Sequence, residues 1–322
     1  MKIRLATFNL LQFTEPPYAW YSKKDKFTAE EWLEKTAWIK NQVLQIDCDI
    51  IGFQEVFSRK ALRALVKECG FKYFKVVDIP RVSKKHKMTY ITTTVAIASK
   101  YPIIDVEEVE IKEVKFSRNP IKARIKLEND KELLVYVAHL KSNRLNEFEY
   151  VFNKEHDLKH KKSLVYKALK EKNSESLKQR LAEASALFED IAKSRDISSV
   201  LLCDLNDKEF SITIEALSNP KYYNSLSQEE PILYDASYYY EEEVYNPHPE
   251  AKEAKRKPTS YFMGKGNVLD YIFISKDLRE KVRYYTLFDA HLEENKDGSL
   301  LTSDHAQVLC ELDLDSINKD KI

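Results

Sequence analysis

Eight polar residues stand where short apolar runs stop: Asn9 after LATF, Glu55 after IIGFQ, His139 after VYVA, Asp204 and Asn206 after VLLC, Asp270 after NVL, and Asp304 with His305 before AQVLCEL. A carboxylate at the end of a buried strand is costly unless it is paired or holds a cation. Several such residues on separate strands are therefore expected to converge on one site. The set is rich in oxygen donors and suits a hard divalent cation such as Mg²⁺ or Mn²⁺, whereas zinc would favour more histidine or cysteine. Carboxylates and histidines beside such an ion can move the protons of a nucleophile and a leaving group, which is what metal-assisted attack of water on phosphorus requires.

Strands must present these residues. Runs rich in Val, Ile and Tyr recur at 3–8, 49–53, 92–99, 121–127, 133–140, 199–203, 269–275 and 305–312. Between some of them lie helical patterns. One opens at Thr28 with Glu31 three residues on, a capping box, and carries Trp32, Ile39, Val43 and Ile46 at helical spacing. A second runs from Ser58 to a stop at Gly70, and a third from about Ser176 to Lys193. Strands partly in adjacent pairs and partly separated by helices predict mixed sheets covered by helices. Because the candidate residues span the first ten and the last twenty positions, the terminal strands must lie together. That predicts a single domain over 1–315 with a tail at 316–322. Two stretches read as insertions forming loops over one face: 143–175, rich in lysine and glutamate, and 218–258, broken by prolines and charge runs.

Composition narrows the function classes. Lys and Arg number 52, as do Asp and Glu, so the net charge is zero and attraction to a polyanion must come from local patches. Basic clusters stand at Lys84 to Lys87, Lys159 to Lys162 and Lys255 to Lys257. No apolar run approaches the roughly 18 residues of a membrane span. The N-terminus MKIRLATFNL reads directly as a strand instead of a secretory leader, and a cytoplasmic protein is expected. Cys48, Cys69, Cys203 and Cys310 lie far apart beside apolar residues and read as buried thiols. His86, His156, His160, His248 and His291 fall in charged or turn-like segments and read as solvated, and the Tyr238 to Tyr240 run, followed by three glutamates, reads as loop packing.

Taken together, the strings ATFNL, GFQEV, VAHLKS, LLCDLND, NVLDYIFIS and TSDHAQV resemble, in order and along nearly the whole chain, the motifs of the endonuclease/exonuclease/phosphatase superfamily. Any one string is weak alone; six in order are not. The resemblance implies a four-layer α/β sandwich, two mixed β-sheets flanked by helices, with the site at one edge. It implies Mg²⁺ or Mn²⁺ at Glu55 and Asp304, with Asn9 fixing that shell. Asp204 would activate or position the attacking water, and Asn206 would hold the phosphate or the Asp204 side chain. Asp270 would orient His305 towards a phosphate oxygen, and His139 would donate a proton to the leaving oxygen or touch phosphate. Arg118 in FSRNP, Lys141 and Ser142 would bind phosphate.

The runs HLKSNR, CDLND and SYFMGKGNVLDYIFIS are similar to a deoxyribonuclease-like bacterial branch. They differ in having Cys203 where a glycine is usual, which is expected to narrow the floor of the site. No acidic residue precedes VAIAS to support His139. The activity implied is hydrolysis of a phosphodiester in nucleic acid, with no obligate protein partner. A phosphodiesterase or phosphatase acting on a lipid or small phosphoester is the alternative, and a catalytically silent binding scaffold of the same fold is a third reading.

Overall fold

Thr28 caps the first helix as its spacing predicts: its hydroxyl accepts from the Glu31 amide at 3.2 Å and the Glu31 carboxylate accepts from the Thr28 amide at 2.7 Å. The structure, a computed structural model, describes residues 1–112, 114–223, 230–240, 256–262, 264–294 and 300–315. Its elements run β1 (Lys2–Phe13), β2 (Ala19–Trp20), α1 (Ala29–Ile46), β3 (Ile50–Val56), α2 (Arg59–Glu68), β4 (Tyr73–Lys75), β5 (Thr89–Tyr90), β6 (Thr94–Ser99), β7 (Ile103–Glu108), β8 (Ile121–Lys126) and β9 (Glu132–His139). The chain continues through α3 (Leu158–Glu171), α4 (Glu175–Lys193), β10 (Ser199–Asp204), α5 (Ile212–Ser218), β11 (Tyr234–Asp235), β12 (Ser260–Phe262), β13 (Lys265–Asn267), β14 (Asp270–Ile274), β15 (Val282–Phe288), α6 (Ala290–Glu294) and β16 (Gln307–Asp313).

Two six-stranded mixed sheets form, with orders β15-β16-β1-β3-β6-β4 and β11-β14-β10-β9-β8-β7. Each has one parallel pair near its centre, β1 with β3 and β9 with β10, and antiparallel neighbours outside it. Alternation along each strand builds three cores. Ile3, Leu5, Val135, Val137, Val200 and Leu202 meet between the sheets. Phe8, Ile51 and Phe53 turn outwards onto Trp32, Ile39 and Leu62 of α1 and α2. Tyr136, Leu201 and Phe273 turn outwards onto Leu181, Leu187 and Ile212 of α4 and α5. The result is the expected sandwich of helices, sheet, sheet and helices. The sheets pack tightly at Gly52, where a Cβ would stand 2.9 Å from a Val137 methyl, so no larger residue fits without a shift.

The 143–175 stretch is not all loop. It contains α3, capped by Asp157, whose buried face includes Lys161, Val165 and Ala168. The helical period is disguised in sequence because a lysine occupies a buried position, paired with Glu215 at 2.7 Å. In the 218–258 stretch, residues 224–229 and 241–255 lie outside the described residues, as do the 316–322 tail and His248. Strands β7 and β15 were not expected from sequence: β7 is an edge strand whose IIDVEE is half acidic and mostly exposed. His291 is buried, not solvated; its Nε2 lies 3.0 Å from the His305 carbonyl and its ring meets Trp38 edge-on. All four cysteines are free, with Cys69 only half-buried. Among the described residues no helix is long and apolar enough to cross a membrane.

Candidate active site

The parallel strands β1, β3, β9 and β10 end at one rim of the sandwich, and the antiparallel strands β14 and β16 begin there. Along β9 and β10 the inward positions read Val135, Val137, His139 and Val200, Leu202, Asp204, so the face lining the inter-sheet core turns polar only at its last position. The ladder sets these side chains abreast: Asp204 is the register partner of His139 on one side and Asp270 on the other. All three are at most 2% exposed.

A continuous set of contacts joins the two sheets here. Asn9 Nδ2 donates to Asp204 Oδ2 at 2.9 Å and approaches Glu55 Oε1 at 3.5 Å. His139 Nε2 lies 3.4 Å from the same Asp204 oxygen. His305 Nδ1 is 2.8 Å from Asp270 Oδ2, and its Nε2 is 3.7 Å from Asp304 Oδ1. The main-chain amide of Asn206 donates to Asp204 Oδ1 at 2.8 Å, while its side-chain amide donates to the Leu140 carbonyl at 3.1 Å. Asn206 thus holds Asp204 through its backbone and the neighbouring loop through its side chain. Arg118, on the segment before β8, donates to the Leu140 carbonyl at 2.9 Å and to Ser142 Oγ at 3.2 Å, which brings it beside Lys141 and Ser142 on the loop after β9.

Burial and mutual charge push these groups apart in acidity. Burial, reinforced by the nearby Asp270 carboxylate, raises Asp204 to about 7, against the opposing pull of His305 and the Asn206 amide. Burial would lower His305, but Asp270, Asp304 and Asp204 overcome it and hold the imidazolium well above its usual range. His139 moves the other way: burial, then the Arg118, His305 and Lys141 cations, keep it neutral. Its Nδ1 is buried without a hydrogen-bond partner, in line with the missing acidic support before VAIAS. One carboxylate poised near neutrality, one imidazolium and one neutral imidazole form the kind of split set that acid–base chemistry uses.

Several supporting residues were not picked out from sequence. Thr259 Oγ1 donates to Asp270 Oδ2 at 2.7 Å and accepts from the Asp270 amide at 3.0 Å. Ser303 Oγ donates to the Asn9 carbonyl at 2.6 Å and accepts from the His305 amide at 3.0 Å, tying β1 to the turn before β16. On α4, Glu183 accepts from the Ser117 amide at 2.7 Å and the Lys141 amide at 2.8 Å, and Arg180 donates to the Lys141 carbonyl at 2.9 Å. One buried carboxylate therefore holds the segments that carry Arg118 and Lys141. The only sequence signal was a charged pair set among the apolar positions of a packing helix. Lys35 of α1 is fully buried and donates to the Leu300 carbonyl at 2.6 Å; burial lowers it to about 7 against the pull of Glu55 and Asp304. Cys203 does not narrow the site, because its side chain faces the helix-side core.

A divalent cation fits this rim on its own chemistry. Asp304 Oδ1 and Asp270 Oδ1 are buried without hydrogen-bond partners, and orphaned carboxylate oxygens of that kind are uncommon in proteins. Glu55, Asp304 and the Asn9 amide offer oxygen donors of the type a hard cation takes. The tightest cluster of candidate ligands is a different one, Asp204, Asp270 and His305, within 4.8 Å of one another. It is a poorer cradle, since His305 Nδ1 already faces Asp270 and a protonated imidazole cannot ligate.

The same arrangement of sheets and helices occurs in solved structures. A crystal structure of D. rerio TDP2 humanized by 14 mutations matches with a TM-score of 0.59 at 12% identity, covering 97% of this chain and 99% of that one. An endonuclease/exonuclease/phosphatase family protein from Leptotrichia buccalis matches at 0.53 and 14% identity, covering 97% and 100%. This chain has the endonuclease/exonuclease/phosphatase fold. An AP endonuclease from Archaeoglobus fulgidus shares the fold at 0.56 and 16% identity, again covering 97% and 100%. No family model matches the sequence, and no curated protein matches it. At these identities the endonuclease/exonuclease/phosphatase likeness is one of architecture, and the chemistry rests on the rim itself.

Proposed function

We propose that this chain is a divalent-metal-dependent phosphoesterase that hydrolyses phosphodiester bonds in nucleic acid, built as one domain over 1–315. The observation that carries the reading is the rim: Asp204, raised to about 7, stands between the Asn9 amide and His139, with an imidazolium at His305 in the same cluster. Mg²⁺ or Mn²⁺ at Glu55 and Asp304, with Asn9 steadying Glu55, would supply charge neutralisation on a phosphate oxygen. Asp204, held by the Asn206 amide, takes the proton of the attacking water. His305, held by Asp270, keeps its positive charge over the pH range where Asp204 ionises and stabilises negative charge developing on a phosphate oxygen. His139, held neutral beside Asp204, can hydrogen-bond a phosphate or leaving oxygen through its ring N–H without giving the proton up. Lys141 and Ser142, from the loop beyond β9, and Arg118, from the segment before β8, bind phosphate.

Nucleic acid is favoured as substrate because the motif strings lie nearest the deoxyribonuclease-like branch, and a structural neighbour is named as an AP endonuclease. The test is hydrolysis of plasmid DNA, structured RNA, bis-p-nitrophenyl phosphate and p-nitrophenyl phosphate with Mg²⁺, Mn²⁺ or EDTA. Cation-dependent cleavage of nucleic acid is the expected result. Cleavage of the small esters alone would turn the assignment to a lipid or small phosphoester. No hydrolysis of any of them would sink the enzyme reading in favour of a binding scaffold.

A further inference from the structure

Between α2 and the edge strand β4 lies a groove of about 810 Å³ whose charged lining residues are Lys60, Arg63, Lys67 and Lys72, with Val66, Phe71 and Phe74 as apolar walls. No acidic side chain lines it. By contrast, a cleft of about 600 Å³ at the opposite end of the second sheet mixes Arg195, Lys276 and Arg279 with Asp196, Asp277 and Glu280. Among the described residues none of the four groove cations makes an ion pair, although their neighbour Glu68 pairs with Lys40 of α1. In a chain of zero net charge, four unpaired cations facing one groove call for a cause, since like charges so arranged repel. Lysines at the margin of a sheet edge guard against unwanted strand pairing, which accounts for Lys72 just before β4 but not for three cations on a helix.

Placement supplies the cause. Lys60, Arg63 and Lys67, at spacings of three and four, share one face of α2. The helix starts four residues after Glu55 and runs away from the catalytic rim, so its cations lead outwards from the site, on the order of 10 Å along the axis. The paired strands β2 and β5 extend the strip beside the helix start: Tyr90 packs on Phe57, and Tyr21 meets Phe57 edge-on. Their loops carry exposed Lys23, Lys24 and Lys26 on one side and Lys84, Lys85 and Lys87 on the other.

We infer that the α2–β4 groove is a track for the sugar-phosphate backbone of a nucleic-acid strand extending beyond the bond being cleaved. This rests on the phosphodiesterase reading of the rim and names where the polymer lies. A concave, cation-lined channel suits a strand; a bilayer would need a flat or protruding face with exposed apolar side chains.

The test reads binding in EDTA, so that it stands whether or not the chain cleaves nucleic acid. A fluorescent 20-nucleotide single strand is titrated at several salt concentrations with wild type, Arg63→Glu/Lys67→Glu, and a control of equal charge change elsewhere, Lys193→Glu/Arg195→Glu. The groove variant is expected to raise Kd at least about tenfold at low salt. It should also lower the slope of log Kd against log salt by about 1.4, two cations at about 0.7 each. The control should stay within about twofold. Unchanged affinity and slope in the groove variant, or an equal loss in the control, would overturn the inference. Binding to phosphatidylserine vesicles without binding to the oligonucleotide would overturn it too.

Discussion

The two sheets follow one plan, six strands around a central parallel pair, yet they meet the rim differently. In the second sheet His139, Asp204 and Asp270 are register partners on three adjacent strands, so the ladder itself fixes their spacing. In the first sheet the β1–β3 ladder breaks after Asn9 and Gln54 and resumes only at Phe13 and Val56. Across the break Leu11, Gln12 and Glu55 take φ values of 50°, 60° and 59°. A left-handed conformation costs a non-glycine residue on the order of 1 kcal/mol and persists only where surrounding contacts hold it. Here the Gln12 amide donates to Glu55 Oε2 at 2.9 Å, and Ser303 holds the Asn9 carbonyl. The proposed base Asp204 and its neighbours His139 and Asp270 thus sit on a rigid ladder, while the proposed cation ligands Asn9 and Glu55 lie at a strained bend.

If that division is real, substitutions on the two sheets should fail in different ways. The largest difference is expected in cation titrations of hydrolysis. Glu55→Gln should raise the Mn²⁺ concentration for half-activation by about 100-fold or more, since loss of a residue that only supports a metal ligand already costs about 10- to 100-fold. Asp204→Asn should lower maximal activity while leaving half-activation within a few fold. Equal shifts in both would break the comparison.

Next in size is the support from α4. Glu183→Ala should raise KM about tenfold through disorder of the Arg118 and Lys141 segments, with kcat changed much less; a loss confined to kcat would contradict a positioning role. A smaller effect is expected in the pH profile of kcat/KM. Asp270 raises both Asp204 and His305, so Asp270→Asn should move the acid limb, where Asp204 must lose its proton, to lower pH. The alkaline limb, where His305 loses its charge, should move down as well. A profile that changes in height with neither limb displaced would count against these assignments. Smallest of all, Gln12→Gly relieves a left-handed residue and should change stability by less than about 1 kcal/mol, read as Tm.

The rigid half of the site was legible in sequence because a strand's period of two carries information about facing: an apolar alternation that ends in His139 or Asp204 points a polar group where a valine had been. The capping box at Thr28 and the stop at Gly70, with φ 92°, were legible for equally local reasons. What sequence hid was tertiary. Glu183 and Arg180 look like surface charges until α4 is docked, His291 reads as solvated until Trp38 covers it, and α3 reads as a loop because Lys161 occupies a buried place. The break in β1 left no pattern at all, since Leu11 and Gln12 carry no turn chemistry.

The most direct test of the account is hydrolysis of bis-p-nitrophenyl phosphate by wild type, Asp204→Ala and His305→Ala, each with Mn²⁺ and with EDTA. The account predicts that wild type turns over only with the cation, and that each substitution lowers kcat at least about 100-fold, some 2.7 kcal/mol of barrier. Undiminished turnover in EDTA, or in either variant, would contradict it.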